Sequence, residues 1–140
     1  MNTDLYIYEG GSLTYLNRIG KIDEALEWRQ KIDNWAEDNN VKTFNPAKNF
    51  IREITYGYSG KLIVDQNDFF LNKATLMIVQ LEYIDFSPGT MYEMITFKNM
   101  GKPIIAFGKE KHWSPHLDSC ISQYCYSIDE TIEIINNMFL

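Results

Sequence analysis

Cysteine is scarce in this sequence of 140 residues. Only Cys120 and Cys125 are present, and neither belongs to a CxxC motif or has a second pair beside it. A disulfide framework needs several cysteines at regular spacing, so the sequence argues against a disulfide-stapled fold. The scarcity agrees with a protein of a reducing compartment.

The sequence also lacks an excess of positive charge. It has 13 lysines and arginines against 19 aspartates and glutamates, which gives a formal net charge of -6 and a pI of about 4.8. Nucleic-acid binding relies on clustered Lys and Arg that neutralise phosphates, so we expect no nucleic-acid partner. Binding of a small anionic ligand is still compatible with this charge, because a few local dipoles or cations are enough to hold one phosphate.

Long apolar runs are absent as well. No stretch reaches the roughly 18 to 20 unbroken apolar residues of a membrane span, so we expect no membrane partner. The first residues, MNTDLYIYEGG, lack the basic and apolar regions of a signal peptide. The expected location is therefore the cytoplasm.

Strand-like and helix-like patterns alternate along the chain. The length and the ordinary composition, 45% apolar and 23% charged, indicate a single domain covering residues 1–140. Alternating strands and helices predict a doubly wound, flavodoxin/Rossmann-like parallel sheet of about five strands with helices on both faces. The predicted strands lie within 4–11, 41–44, 75–81, 103–107 and 125–127, and the predicted helices within 21–40, 65–74, 91–100 and 128–140.

The stretch 47–63 is the least regular part of the sequence. Its glycines, Gly57 and Gly60, predict a loop with a single helical turn, and so long a connection is often functional. Asp65 is the predicted N-cap of the following helix. Gly101 is the predicted C-cap of the helix before the strand PIIAF.

The segment SPGTMYE, residues 87–93, comes after the apolar run TLMIVQL. It combines hydroxyl side chains, a proline and a glycine with a single glutamate, an unusual composition for a segment that only connects a strand to a helix. In open parallel sheets, ligands bind beyond the carboxyl ends of the strands, where this segment falls. Gly89 allows close approach of a ligand, and Glu93 would lie one helical turn further on. The competing interpretation is structural, because Thr90-x-x-Glu93 matches a capping box and Ser87 or Thr90 can cap a helix.

The segment SPGTMYE and the following GKPIIAF resemble the nucleoside 2-deoxyribosyltransferase family, which includes the deoxynucleoside 5′-monophosphate N-glycosidases. YIYEGG, NDFFLNKATLMIV and the closing helix extend the resemblance over most of the chain. It implies that Glu93 is a nucleophile that attacks C1′ of the sugar and forms a glycosyl-enzyme ester. The ester then passes to another base or to water, and ester formation by a carboxylate is established chemistry in retaining glycosidases.

The resemblance also implies roles for residues around Glu93. The transferases usually carry Asp at the position of Ser87, whereas the 5′-monophosphate N-glycosidases carry Ser, so Ser87 favours a nucleotide ligand over a nucleoside. The alternative is that Ser87 is a plain loop hydroxyl. A family aspartate that orients the substrate or protonates the departing base corresponds to Asp68 or to its neighbour Asn67. The spacing from Ala74 favours Asn67 by one residue. We expect Asp68 to be the acid or orienting group and Asn67 to contact the substrate.

The first strand departs from the family pattern. A tyrosine there usually binds the nucleophilic glutamate, but the spacing to Gly10 places Ile7 nearest that position, with Tyr6 and Tyr8 on the opposite face. Either the strand is shifted by one residue, which brings Tyr8 to the site, or the tyrosine is missing. Glu9 is also atypical. The backbones of Gly10, Gly11, Gly89 and Thr90 are expected to line the sugar site.

A third loop, GKEKHWSPH, carries His112, His116 and, further on, Cys120 at spacings of four. Zinc is one interpretation, but Pro115 argues against a helix through these residues and a fourth ligand is missing, so we expect neither a metal nor a cofactor. The family resemblance implies a homo-oligomer, a dimer or larger, with shared active sites. Trp113 or Ser114 would then reach a neighbouring subunit's pocket.

Two functions follow from these observations. The first is an enzyme that cleaves or transfers the N-glycosidic bond of 2′-deoxynucleosides or their 5′-monophosphates. The alternative is a non-catalytic nucleotide-binding or sensor module on the same fold, suggested by the displaced tyrosine and aspartate. A purely structural subunit, with Glu93 only in a capping box, is a third and weaker hypothesis.

Overall fold

The computed structural model describes residues 4–109 and 114–140, except for the side chains of 51–55. Its centre is one five-stranded sheet in the order β2-β1-β3-β4-β5, and every neighbouring pair of strands is parallel. The predicted parallel sheet of about five strands is therefore confirmed. The strands are β1 (Tyr6–Gly10), β2 (Lys42–Phe44), β3 (Leu76–Gln80), β4 (Ile104–Phe107) and β5 (Gln123–Cys125).

Helices cover both faces of the sheet, as predicted. In the central strand β3 every residue is buried, and alternate side chains serve opposite faces. Met77 and Val79 pack with Met94 and Phe97, whereas Leu76 and Ile78 pack against the opposite helix layer. The helices are α1 (Thr14–Arg18), α2 (Ile22–Asp38), α3 (Ala47–Tyr56), α4 (Gly60–Lys73), α5 (Pro88–Asn99), α6 (Pro115–Asp118) and α7 (Ile128–Met138), with a 3-10 turn at Ile84–Phe86.

The prediction for residues 47–63 was wrong. The segment forms α3 and the first residues of α4, because the Asn45 side chain accepts a hydrogen bond from the backbone N–H of Ala47 and starts a helix after Pro46. Gly57, with φ 63°, separates the two helices. Gly60 is the first residue of α4 and so does not interrupt it.

The predicted N-cap at Asp65 was also wrong. The hydroxyl of Ser59 caps α4 by accepting a hydrogen bond from the backbone N–H of Leu62. Asp65 lies one turn inside the helix, where it pairs with Lys61 at 2.7 Å. The C-cap prediction was one residue late, because α5 ends at Asn99 and Met100 is its C-cap. Gly101 is the next residue and takes the left-handed conformation, with φ 77°, in which helices commonly end.

Lys102, from the GKP segment, ties α4 to the rest of the fold. Its Nζ donates to the main-chain carbonyls of Asn72 and Ala74 at 2.8 and 2.7 Å. Carbonyls at a helix C-terminus have no partner within the helix, so a lysine there satisfies them and complements the helix dipole. The GKP segment thus has a structural role that fixes the end of a site-bearing helix.

Among residues 4–109 and 114–140, none of the helices combines the length and the apolar character needed to cross a bilayer.

Replacement of the α4 cap tests this description of the 59–73 segment. Ser59→Ala should lower the free energy of unfolding by about 1 kcal/mol, because the N–H of Leu62 loses its acceptor. Asp65→Ala is the matched control and should cost much less, since it removes only a solvent-exposed ion pair. Urea unfolding of both variants measures the difference. A larger loss for Asp65→Ala would restore Asp65 as the cap.

Candidate active site

A cavity of about 600 Å³ lies at the carboxyl ends of β1 and β3. The chain leaves β1 toward β2 on one side and β3 toward β4 on the other, so this is the point where the strand order reverses. Doubly wound sheets bind ligands at such a point. The lining comes from the segments after β1, β2 and β3 and from α4, and includes Gly11, Ser12, Pro46, Asn67, Asp68, Ser87 and Glu93.

Tyr8 and Glu93 are hydrogen-bonded to each other: the phenol of Tyr8 donates to Oε2 of Glu93. Tyr8 is fully buried and stacks on Phe44, with ring centroids 5.4 Å apart. The spacing to Gly10 placed Ile7 nearest Glu93, but Ile7 packs on the opposite face of the sheet. The residue that contacts Glu93 is its neighbour Tyr8.

The capping interpretation of SPGTMYE does not describe the structure. Helix α5 begins at Pro88, so Thr90 lies within its first turn and not at the cap position. Ser87 occupies the cap position, but its hydroxyl donates to the main-chain carbonyl of Tyr83 at 3.0 Å. The carboxylate of Glu93 is directed to Tyr8 and the cavity.

The pKa of Glu93 is raised to about 7, because burial opposes its ionisation. The hydrogen bond from Tyr8 and the positive charge of Arg29 act in the other direction, and the negative charge of Asp68 adds to the increase. The same neighbourhood, with burial as the main cause, raises the pKa of the Tyr8 phenol, so Tyr8 stays a donor. Glu93 therefore changes charge near neutral pH.

Asn67 and Asp68 both line the cavity, so the structure brings together both candidates for the family aspartate, the one that the spacing favoured and its carboxylate neighbour. Asp68 accepts a hydrogen bond on Oδ2 from the hydroxyl of Tyr92 at 3.0 Å. The Oδ1 atoms of Asn67 and Asp68 are buried and have no hydrogen-bond partner within the described part of the chain. Buried polar atoms are normally satisfied, so these two oxygens mark places for polar groups of a ligand.

Three of the four residues expected to line the site through their backbone do line it: Gly11, Gly89 and Thr90. Gly11 has φ 147°, and a Cβ there would lie 3.3 Å from Nη2 of Arg29, so only glycine fits. Gly10 is not among the lining residues that the structure describes. It is paired with Val79 inside the sheet, and a Cβ on Gly10 would lie 3.3 Å from Cγ2 of Val79.

Arg29 and Glu9 form a buried polar group that belongs to the lining of the cavity. The sequence marked Glu9 only as atypical and gave no signal for Arg29. Arg29 is 1% exposed and donates to three main-chain carbonyls, those of Ala25, Glu9 and Gly11, at 3.1 to 3.3 Å. Burial lowers its pKa to about 10, so it remains a cation at neutral pH. The charged pattern of α2 gave no signal, because Arg29 follows Trp28 on the face that turns inward.

Glu9 is fully buried at the end of β1, and burial followed by the neighbouring Asp33 raises its pKa to about 10. Burial also opposes ionisation of Asp33, but the neighbouring Glu9, hydrogen bonds from Asn45 and Thr43 and the charge of Lys48 lower its pKa overall. Neither carboxyl oxygen of Glu9 has a hydrogen-bond partner within the described residues. Burial beside Asp33 therefore favours the protonated, neutral form of Glu9 at pH 7.

Other lining residues were not singled out from the sequence. Ser12 is 2% exposed, and its hydroxyl has no hydrogen-bond partner within the described residues. Arg18 is an exposed cation on the lining. Tyr15 stacks on Phe86 with ring centroids 4.6 Å apart, and both rings contribute an aromatic wall.

The third loop, GKEKHWSPH, extends beyond the described residues. His112 and Trp113 lie outside the described residues, so their predicted roles stay predictions. Ser114 is at the N-cap position of α6, and the thiol of Cys120 donates to the main-chain carbonyl of His116 at 3.2 Å. Among residues 4–109 and 114–140, no group of three or more metal-ligating side chains comes together.

Comparison with known proteins gives a likeness in fold. The sequence matches no protein-family model and no curated protein. The fold matches that of a 2-deoxyribosyltransferase from the psychrotolerant bacterium Bacillus psychrosaccharolyticus, with a TM-score of 0.66 and 15% sequence identity. The match covers 90% of this chain and 89% of the other. The chain therefore has a nucleoside 2-deoxyribosyltransferase-like fold.

The neutral state of Glu9 predicts how stability depends on pH. The folded protein keeps a proton on Glu9 that the unfolded chain, with a glutamate pKa of about 4.3, releases. The stabilisation is thus complete below pH ~4.3 and is lost progressively as pH rises toward 10. Glu9→Gln, which cannot ionise, should flatten this decline.

Urea unfolding between pH 6 and 9 tests this. The free-energy difference between Glu9→Gln and the wild type should move in favour of the variant as pH rises, whereas the exposed control Glu27→Gln should run parallel to the wild type. Parallel curves for Glu9→Gln as well would show that Glu9 is already ionised in the folded protein.

Proposed function

We propose that this protein is an enzyme that cleaves or transfers the N-glycosidic bond of 2′-deoxynucleosides or of their 5′-monophosphates. The observation that carries the proposal is the carboxylate of Glu93, which lines the cavity at the reversal point of the sheet and is held by the phenol of Tyr8. The fold likeness to a 2-deoxyribosyltransferase supports the same substrate class.

Glu93 is the proposed nucleophile. Tyr8 engages Oε2, and Oε1 attacks C1′ of the sugar as the C1′–N bond breaks with its electron pair going to the base. The carboxylate also stabilises the positive charge that develops on the sugar, and this effect is strong in an enclosed site. A second base or water then attacks C1′, and the ester bond breaks to regenerate Glu93.

Asp68 and Asn67 are the proposed partners of the base. The departing base needs a proton, and Asp68 either delivers it or orients the base while water does. The unpartnered Oδ1 atoms of both residues support contact with the polar edge of a base. The aromatic wall of Tyr15 and Phe86 adds flat surface to the same cavity.

A 5′-monophosphate is the preferred ligand in this proposal. The Ser87 hydroxyl already donates to a carbonyl, so it would have to rotate to donate to a phosphate. Additional support comes from the unpartnered hydroxyl of Ser12, from the cation Arg18 and from the N-terminus of α5, all of which border the cavity. Gly10 and Tyr8 would act beneath the sugar without lining the cavity.

The remaining assignments are also proposals. A homo-oligomer of dimer size or larger with shared sites is supported by exposed apolar side chains on α4 and α5, two helices that contact each other, namely Leu62, Phe69 and Ile95. A cytoplasmic location remains part of the proposal. The sensor hypothesis has lost its main motive, because Tyr8 occupies the place from which a tyrosine was thought to be missing.

A product assay tests the function directly. We expect incubation with the four deoxynucleosides and their four 5′-monophosphates, each with and without a second free base, to release base from the monophosphates. Glu93→Gln should lower the rate at least about 10³-fold, because it keeps the shape but removes the nucleophile. Exchange confined to nucleosides would favour a transferase and overturn the preference for monophosphates.

Two variants make this assay decisive. Glu27→Gln, an exposed glutamine substitution on α2, should retain the wild-type rate. Base release that survives Glu93→Gln would remove Glu93 from the mechanism. If the wild type releases no base while nucleotides still raise its melting temperature, the sensor hypothesis replaces the enzyme.

The raised pKa of Glu93 predicts an acid limb in the pH profile. Because only the carboxylate attacks, kcat/KM should fall about tenfold per pH unit below pH ~7. Asp68→Asn removes a negative neighbour, lowers the pKa of Glu93 and should move the limb to lower pH. Asp65→Asn, on the same helix but exposed, should leave the limb in place. An Asp68→Asn limb that coincides with that of the wild type would contradict the coupling of the two carboxylates.

A further inference from the structure

Tyr92 is the residue immediately before Glu93 on α5, and its side chain contacts α4. Its hydroxyl donates to Oδ2 of Asp68 at 3.0 Å, so it joins α5 to α4 across the cavity wall. The ring itself belongs to the lining of the cavity and is 48% exposed. One turn of α5 therefore supplies the proposed nucleophile and a contact to the second carboxylate.

The hydrogen bond from Tyr92 gives the two carboxylate oxygens of Asp68 different environments. Oδ2 is occupied by Tyr92, whereas Oδ1 is buried and has no partner within the described residues. A carboxylate on a helix turns freely about its terminal torsion unless one oxygen is held. With Oδ2 held from the α5 side, Oδ1 is the oxygen left for a ligand.

On the basis of the proposed function, we infer that Tyr92 is a positioning residue, which fixes the side chain of Asp68 so that Oδ1 faces the base of the bound substrate. It acts through Asp68 and not by contact with the reacting atoms. Because Tyr92 and Glu93 are adjacent on one helix, the same element sets the position of the nucleophile and, through the hydrogen bond, that of Asp68.

The phenol is suited to this role over the working pH range. The hydrogen bond to Asp68 is the main cause that raises the pKa of Tyr92, so the hydroxyl keeps its proton and remains a donor. Asp68 itself is fixed along the helix, where its main-chain carbonyl accepts from Nδ2 of Asn72 at 2.8 Å. The hydrogen bond from Tyr92 therefore restricts the side-chain torsions of Asp68.

The test is a double-mutant cycle on base release from each of the four 2′-deoxynucleoside 5′-monophosphates. Tyr92→Phe removes only the hydroxyl, and we expect kcat to fall about tenfold or more with KM changed less than about twofold, as the loss of one hydrogen bond to a charged group implies. In an Asp68→Asn background the same substitution should change kcat less than about twofold. Tyr126→Phe, an exposed tyrosine that is not among the cavity lining, is the matched control and should match the wild type.

The outcomes separate this inference from the proposed function. Equal losses from Tyr92→Phe in the wild-type and Asp68→Asn backgrounds would show that the hydroxyl contacts the substrate directly, which overturns the positioning role. A wild-type rate for Tyr92→Phe overturns it too, while Glu93→Gln still abolishes activity and leaves the proposed function intact. No base release by the wild type, or base release by Glu93→Gln, overturns both. A thermal melt checks that each variant is folded.

Discussion

The site depends on one hydrogen bond, that between the phenol of Tyr8 and the carboxylate of Glu93. A carboxylate enclosed in protein is unstable as an ion unless donors or cations compensate for the lost water. Tyr8 supplies the donor, and Arg29 supplies a nearby positive charge while its own hydrogen bonds go to main-chain carbonyls. The balance places the charge change of Glu93 close to neutral pH, where a proposed nucleophile is both available and reactive.

The buried group of Arg29 and Glu9 also supports the site, because Arg29 holds the backbone at the end of β1. Arg29 binds the carbonyls on both sides of Gly10, so the exit of β1 is fixed where Gly11 and Ser12 meet the cavity. Glu9 accompanies Arg29 without neutralising it, because Glu9 keeps its proton next to Asp33. A second buried anion in that place would have offset the cation that favours ionised Glu93.

The sheet and its helices were predictable from the sequence because buried parallel strands such as LMIVQ are continuous apolar runs and because α2 has a clear 3.6-residue period. The helices within 47–63 were not, because Gly57 and Gly60 mark the boundary between two helices and were interpreted as features of a loop. The cavity position of Glu93 followed from the SPGTMYE segment, but the register of Tyr8 did not, since a shift of one residue exchanges the faces of a strand. Arg29 and Tyr92 had no sequence signal, because their partners are distant in the sequence. Arg29 on α2 binds carbonyls at the end of β1, and Tyr92 on α5 binds Asp68 on α4.

Tyr8 and Glu93 are 85 residues apart in the chain. Their contact requires β1 to pair with β3 and α5 to pack on the sheet, so it cannot form in a locally folded fragment. Long-range contacts of this kind close late, after loop-closure entropy has been overcome. The environment that holds the carboxylate of Glu93 therefore forms only with the complete tertiary structure. In a nascent or partly unfolded chain, Glu93 is an ordinary solvated side chain.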